Sequence, residues 1–546
     1  MTTFCKRSLP QRRLNDVVLV ALTLICVLVP GELLWAETFD VGCDVDALIS
    51  AINAANANGV ADVINLAPGC TYTLNAVDNE TDCYNGLPSI ISPITINGNG
   101  ATIVRSSAAT DFRIFHVAAS GTLMLRNLIL SGGVEDCSDF GFNVGGGIVN
   151  FGTLTLEGCT VSDNSAGIGG GIANAGDATL INCTVSNNSA ASGGGIDNHV
   201  LGTLQLINST VSDNDAFDGG GIYNDGTATL VNSTISGNSG SLWGGGLLNE
   251  GKATLARCVV ENNTSEFGGG FINAGELSLT GCTTYGNSAV EDTVVGGGVG
   301  GGIYNYGPAQ LTNCTISDNS ATNVAGGIYN DDEVSLNNVT IAGNTAGTDG
   351  GGIYVDTSDG VELKNTLIAD NTATTGPDCA GTLTSFGHNL IGDNDGCTFT
   401  PTTGDLVGTS TDPIDPLLDP LQNNGGPTET HSLLSGSPAI DAGSCSDLNG
   451  DPITADQRGY PRPSPLGGNC DIGAYEAEQA YVRGDLNGDS AIDLLDVILC
   501  TQLAHGHITG SATQRAAADV DSDGDVDADD VTILSEYVLG IRKTLP

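Results

Sequence analysis

"GGGIYNDGTATLVNSTISGNSG", residues 219–240, sets three glycines ahead of a run in which apolar and small hydroxyl residues alternate. A phosphate-binding loop would occur once, after a strand and before a helix. This segment instead recurs, with glycine boxes beginning at Gly145, Gly169, Gly193, Gly219, Gly244, Gly268, Gly300, Ala325 and Gly350. The intervals are 24, 24, 26, 25, 24, 32, 25 and 25 residues, and the long one holds "EDTVVGGGV", which reads as a loop inserted into one turn.

Between boxes the period is two, as in "ATLINCTVSNNSA" (178–190), so the text is strand text. Two or three short strands per period of about 25 residues, parted by Gly and Asn corners, predict one coil of a parallel β-helix. Equivalent residues then stack as rungs about 4.8 Å apart. Asparagines form two columns, one from Asn150 to Asn330 and one from Asn164 to Asn371, whose amides are placed to hydrogen-bond along the axis and to tolerate left-handed corners. A third column, Cys159, Cys183, Cys258, Cys282 and Cys314, reads as small buried apolar residues, with axial disulfides as the alternative.

The stretch "DALISAINAANANGVADVINLAPGCTYTL" (46–74) carries helical spacing before strand text, which predicts a helix capping the open end of the coil. Ahead of it, basic residues up to Arg13, an apolar core from Val17 to Val29 and a cleavage position after Ala36 read as a secretory signal. Fourteen cysteines would remain, and an oxidising compartment favours disulfides within two clusters: Cys43, Cys70, Cys83 and Cys137, and Cys379, Cys397, Cys445 and Cys470. A net charge of −48 opposes binding to nucleic acid, because phosphate neutralisation requires Lys and Arg.

The paired "GGGI" and "SDNSA" boxes resemble the repeats of the polymorphic outer-membrane protein family, and "ALISAINAAN" resembles the amino-terminal segment of secreted β-helix proteins. Residues 387–478, from "GHNLIGDNDGC" to "DQRGYPRPSPLGGNCDIGAYEAE", are similar to the choice-of-anchor segment that follows such helices. These resemblances imply a right-handed parallel β-helix of the pectin-lyase type, displayed on or released from a bacterial surface.

After Ala480 the text becomes acidic. Oxygen-bearing residues fall at loop positions 1, 3, 5, 9 and 12: Asp485, Asn487, Asp489, Asp493 and Asp496, then Asp519, Asp521, Asp523, Asp527 and Asp530. Calcium takes six to eight hard oxygen ligands, and this spacing wraps them round one ion, with position 7 (Ala491, Asp525) offering a carbonyl. Two such loops predict two calcium ions, and crowded carboxylates predict a tail that orders when calcium binds. Aspartate at position 12, with no helix entering either loop, resembles the type I dockerin, which implies a cohesin partner. At positions 10 and 11 stand Leu494 and Leu495 in one half and Ala528 and Asp529 in the other, in place of a Ser-Thr pair.

No catalytic constellation emerges. Basic residues of the repeat region are few, Arg105, Arg113, Arg126, Lys252, Arg257 and Lys364; Lys252 and Arg257 share a coil but no Asp recurs beside them on adjacent rungs, so they read as solvated surface, and the column Asp163, Asp213, Asp318 lies in corner text. Tyr304, Tyr329 and Tyr354 share one repeat position beside an inward Ile and predict an exposed aromatic ladder; Phe217, Trp243 and Phe267 form a rougher second set. Tyr304, Tyr329, Tyr354 and Trp243 are the candidate ligand-binding residues, with rung-on-rung stacking as the plainer explanation. The expected organisation is signal 1–36, cap and first coils 37–132, glycine-rich β-helix 133–400, choice-of-anchor-like segment 401–480 and dockerin-like domain 481–546. The function expected is a secreted or cell-surface binding or adhesion body, with a polysaccharide hydrolase or lyase as the alternative.

Overall fold

A computed structural model describes residues 35–135, 144–292, 296–356, 360–464, 468–477, 483–487, 491–510 and 512–545. The expected signal core, Cys137 and Asp489 lie outside these residues.

The repeats wind into a parallel β-solenoid of about 14 turns. One coil runs through strands Ile172–Asn174, Asp177–Ile181 and Thr184–Ser186, and each pairs in parallel register with the next coil, Ile172 on Ile196, Leu180 on Leu206 and Val185 on Val211. Among the described residues six coils add a fourth short strand, beginning with Asp215–Asp218, beyond the two or three expected. In the coil of the 219–240 segment, Ile222, Ala228, Leu230 and Ile235 are fully buried. A large aliphatic side chain so buried contributes roughly 1.5–3 kcal/mol, realised only when a neighbouring coil covers it.

The glycine boxes are frame. Gly219 has φ +63°, a left-handed corner, and a Cβ on Gly220 would lie 2.4 Å from the Ser239 carbonyl oxygen of the next coil. The asparagine columns are buried amide ladders. Asn214 donates from its backbone N and Nδ2 to Asn238 Oδ1 (3.0 and 2.9 Å) and from Nδ2 to the Val185 carbonyl (3.0 Å). The left-handed backbone, however, falls one residue earlier than expected, at Asp163, Asn187, Asp213, Gly237, Asn262 and Asp318. The amides of the ladder need regular backbone to reach along the axis, so the adjoining residue takes the positive φ, which Asp, Asn and Gly tolerate best. This explains the acidic column noted in the sequence.

Helix α1 (Val45–Asn58) caps the first coils, buries Leu48, Ala51, Ile52 and Ala55, starts at the N-cap Asp44 and stops at left-handed Gly59. Disulfides join Cys43 to Cys70, Cys379 to Cys397 and Cys445 to Cys470. The five column cysteines are buried and free, as the apolar reading required.

The segment after the last coil folds back along the solenoid instead of extending from it. In early coils the outer threonines of the third strand, Thr160, Thr184, Thr210 and Thr234, are half-exposed, but Thr283, Thr315, Ser317 and Thr340 are buried and bonded to Glu429, Gln457, His431 and Ala474 of the returning segment. Gln457 is the main clasp, donating to Thr283 Oγ1 (2.8 Å) and accepting from Thr315 Oγ1 (2.7 Å). Its neighbours hold the strap together: Arg458 pairs with Asp456 (2.8 Å) and lies 3.7 Å over the Tyr475 ring, while Arg462 donates to the Asp471 and Gly473 carbonyls. The charged residues of "DQRGYPRP" therefore serve packing.

Candidate functional site

The described residues between 483 and 545 include helices α2 (Leu494–Ala504), α3 (Ala512–Ala518) and α4 (Ala528–Val538). Helix α3 enters the second loop directly, which corrects the expectation that neither loop has an entering helix; its alanine-rich "ATQRAAA" favours a helix even in seven residues. A small core of Leu486, Leu499, Cys500, Leu503, Ala518, Val520 and Leu534 joins the two halves. Loop positions 2 (Leu486, Val520) face this core, and positions 8 (Ile492, Val526) pack against it.

The halves close alike. Asp496 accepts from the backbone N–H of Leu486 (2.7 Å) and Asn487 (3.2 Å) with one oxygen and of Asp493 (2.8 Å) with the other. Asp530 does the same with Val520 (2.8 Å), Asp521 (3.3 Å) and Asp527 (2.9 Å). Each position-12 carboxylate thus ties loop start to helix start, completing a capping box with the N-caps Asp493 and Asp527.

In the second loop, single oxygens of Asp519, Asp521 and Asp523 lie within 4.8 Å of one another, as do those of Asp525, Asp527 and Asp530. Asp525 brings its carboxylate as well as the carbonyl expected of it. Among the described residues no Lys or Arg pairs with these six carboxylates, and the nearness of Asp523 raises the Asp525 pKa. A hard-oxygen donor set without a protein counter-charge fits a divalent calcium ion. In the first loop Asp485, Asn487, Ala491, Asp493 and Asp496 hold the equivalent positions.

Residues 483–539 match the dockerin type I domain. A dockerin domain implies calcium-dependent attachment to a cohesin partner. At positions 10 and 11 of its two halves, Leu494, Leu495, Ala528 and Asp529 are all exposed. Among solved structures, the chain is similar to the A-module of the mannuronan C-5 epimerase AlgE6 from Azotobacter vinelandii. The TM-score is 0.36 and the identity 14%, over 66% of this chain and 93% of that one. No curated protein matches the chain in sequence. Among the described residues no helix is long and apolar enough to cross a membrane.

On the solenoid, the residue after each box isoleucine forms one column on the strand face. Tyr304, Tyr329 and Tyr354 are half-buried there and stack on one another, with centroids 4.5 and 5.5 Å apart and planes within 13°. Their faces are therefore turned largely on each other, and the outer face of Tyr354 adjoins the small Ala380. Trp243 stacks on Phe267 at 4.6 Å and meets Tyr304 edge-on, so the two aromatic sets form one cluster, while Phe217 stays exposed.

The residue after each box isoleucine is tyrosine in four coils, and the earliest, Tyr223, lines a cleft of about 830 Å³ together with Asp197, a member of the same column that sequence reasoning missed. The available signal was a single aspartate in a column otherwise apolar or aromatic, Val149, Ala173, Tyr223 and Leu248 being its neighbours.

Proposed function

We propose that the chain is a secreted or cell-surface binding body, a β-solenoid that a calcium-dependent dockerin domain attaches to a cohesin-bearing partner outside a bacterial cell. The observation that carries this reading is the duplicated clasp, Asp496 and Asp530 each closing an acidic loop onto its helix. Two calcium ions are held, one by Asp485, Asn487, Asp489, Asp493 and Asp496 with the Ala491 carbonyl, the other by Asp519, Asp521, Asp523, Asp525, Asp527 and Asp530. Bound calcium supplies positive charge that offsets carboxylate repulsion, so the helices present one fixed docking face. Leu494 and Leu495 give that face an apolar half, Ala528 and Asp529 a small acidic one.

The test is binding of the full chain to a panel of immobilised cohesin domains, with calcium and with chelator. Calcium-dependent capture that is lost in the double variant Asp485→Ala, Asp519→Ala supports the reading; capture indifferent to calcium, or none across the panel, refutes it. Surface glycan is the natural ligand class for the aromatic column, with Trp243, Tyr304, Tyr329 and Tyr354 as candidate contacts. A polysaccharide-active hydrolase or lyase is the second reading, favoured by the acidic cleft at Asp197; release of new reducing ends from polysaccharide by the full chain would establish it.

A further inference from the structure

The cleft arises from a local dip in the strand face. At the coil of Ile172–Asn174 both the column residue, Ala173, and the residue past the asparagine, Ala175, are small, whereas the coils on either side carry Val149 with Phe151 and Asp197 with His199. One wall is the loop around Asp82, anchored from beneath by His116, whose ring nitrogen lies 3.1 Å from the Asp82 carboxylate, and by the buried Arg113–Glu135 pair (3.2 Å). Its volume of about 830 Å³ lies within the range of ligand pockets, and among the described residues no Lys or Arg lines it.

Asp197 is 93% buried at the floor, since only 7% of it is exposed, yet one oxygen accepts a single long bond from Ser192 Oγ (3.4 Å) and the other has no hydrogen-bond partner among the described residues. Its charged neighbour is another carboxylate, Asp225. Burying a carboxyl group so poorly satisfied is costly in a strand column where apolar residues serve on either side. A ligand that supplies hydroxyl groups removes that cost. Phe151 and Tyr223 stand on opposite sides of the dip and offer ring surface. Aromatic surface with carboxyl acceptors and no cation suits a sugar without charge, and repels uronates and phosphates.

We propose that this cleft binds a neutral saccharide, with the sugar flanked by Phe151 and Tyr223 and a hydroxyl group hydrogen-bonded to Asp197. The site extends the proposed function by naming a ligand class and a place, and it stands apart from the dockerin domain. Burial raises Asp197 to about 7, so near neutral pH the carboxyl group both donates and accepts, as sugar hydroxyls require.

The test is calorimetric titration of the full chain, at constant calcium, with neutral xylo- and cello-oligosaccharides and with oligogalacturonate. Neutral oligomers bind and oligogalacturonate does not. Tyr223→Ala and Asp197→Leu each lower affinity at least tenfold, whereas Asp197→Asn, which keeps a donor and an acceptor, lowers it less. Ala175→Phe, repeating the residue that the chain carries at 151, fills the dip and abolishes binding while far-UV circular dichroism stays unchanged. Phe386→Ala, which removes an exposed aromatic outside the cleft, is without effect. Preference for the uronate, absence of neutral-sugar binding, or binding indifferent to Ala175→Phe would overturn the proposal. Cohesin capture measured on the same preparations separates the two ideas: saccharide binding in the Asp485→Ala, Asp519→Ala variant stays intact if the cleft is the site.

Discussion

Gln457 Oε1 accepts a hydrogen bond from Thr315 Oγ1 at 2.7 Å, across 142 residues of chain. The same amide donates to Thr283 and Thr428, so one side chain ties the returning strap to two successive coils. The outer threonines of the third strand, solvent-facing in early coils, become buried polar groups here and need such partners.

Gln457→Ala leaves Thr283, Thr315 and Thr428 without these bonds. We expect a loss of roughly 3 kcal/mol. Limited proteolysis should cut the variant between residues 400 and 477 at denaturant concentrations where the parent is resistant, with coils far from the strap unaffected. Resistance equal to the parent's would show that the clasp is dispensable.

The asparagine ladder should be unforgiving in its interior. Asn238→Ala removes the acceptor for both donors of Asn214 and the donor to the Val211 carbonyl. At about 1–3 kcal/mol for each buried group left unpaired, the site loses several kcal/mol. Because coils couple to nearest neighbours, amide hydrogen exchange should accelerate most in the coils flanking residue 238.

Asp530→Ala opens the second loop at both ends, freeing the N–H groups of Val520, Asp521 and Asp527. Loss of the cap costs about 1 kcal/mol of helix stability. Calcium stoichiometry by calorimetry should fall from two to one, and Asp496→Ala should do the same through the first loop. A variant that still takes two ions would exclude position 12 from the ligand set.

The Asp197 carboxyl group gives stability a pH dependence of known sign. Burial, with Asp225 adding to it, lifts its pKa to about 7, so the native state holds a proton that the unfolded chain releases at about 4. Its stabilising share is complete below about pH 4 and is lost as pH rises to about 7. The facing groups are Asp225, Tyr223, His199 and Ser192. Asp197→Asn should match the parent at about pH 4 and unfold at a higher temperature at about pH 8. A stability difference independent of pH would place the titration elsewhere.

Much of this molecule was legible before any fold was seen. A period of about 25 with alternation at two, the stacked asparagines and the helix at Val45–Asn58 are local or strictly repetitive, and repetition converts sequence spacing directly into neighbours in space. The two acidic loops were equally plain, because ion ligation within a loop depends on spacing along one short stretch. Tertiary structure alone decided the rest. Nothing in "DQRGYPRP" states that it lies against Thr283 and Thr315, since that contact spans more than 140 residues and follows no period. Nor does the text around Asp197 disclose a cleft, because the dip depends on Ala173 and Ala175 one coil away and on a loop near residue 82 wound in much earlier. Periodic contacts are written in the spacing of the chain; aperiodic ones depend on which surfaces meet once it has folded.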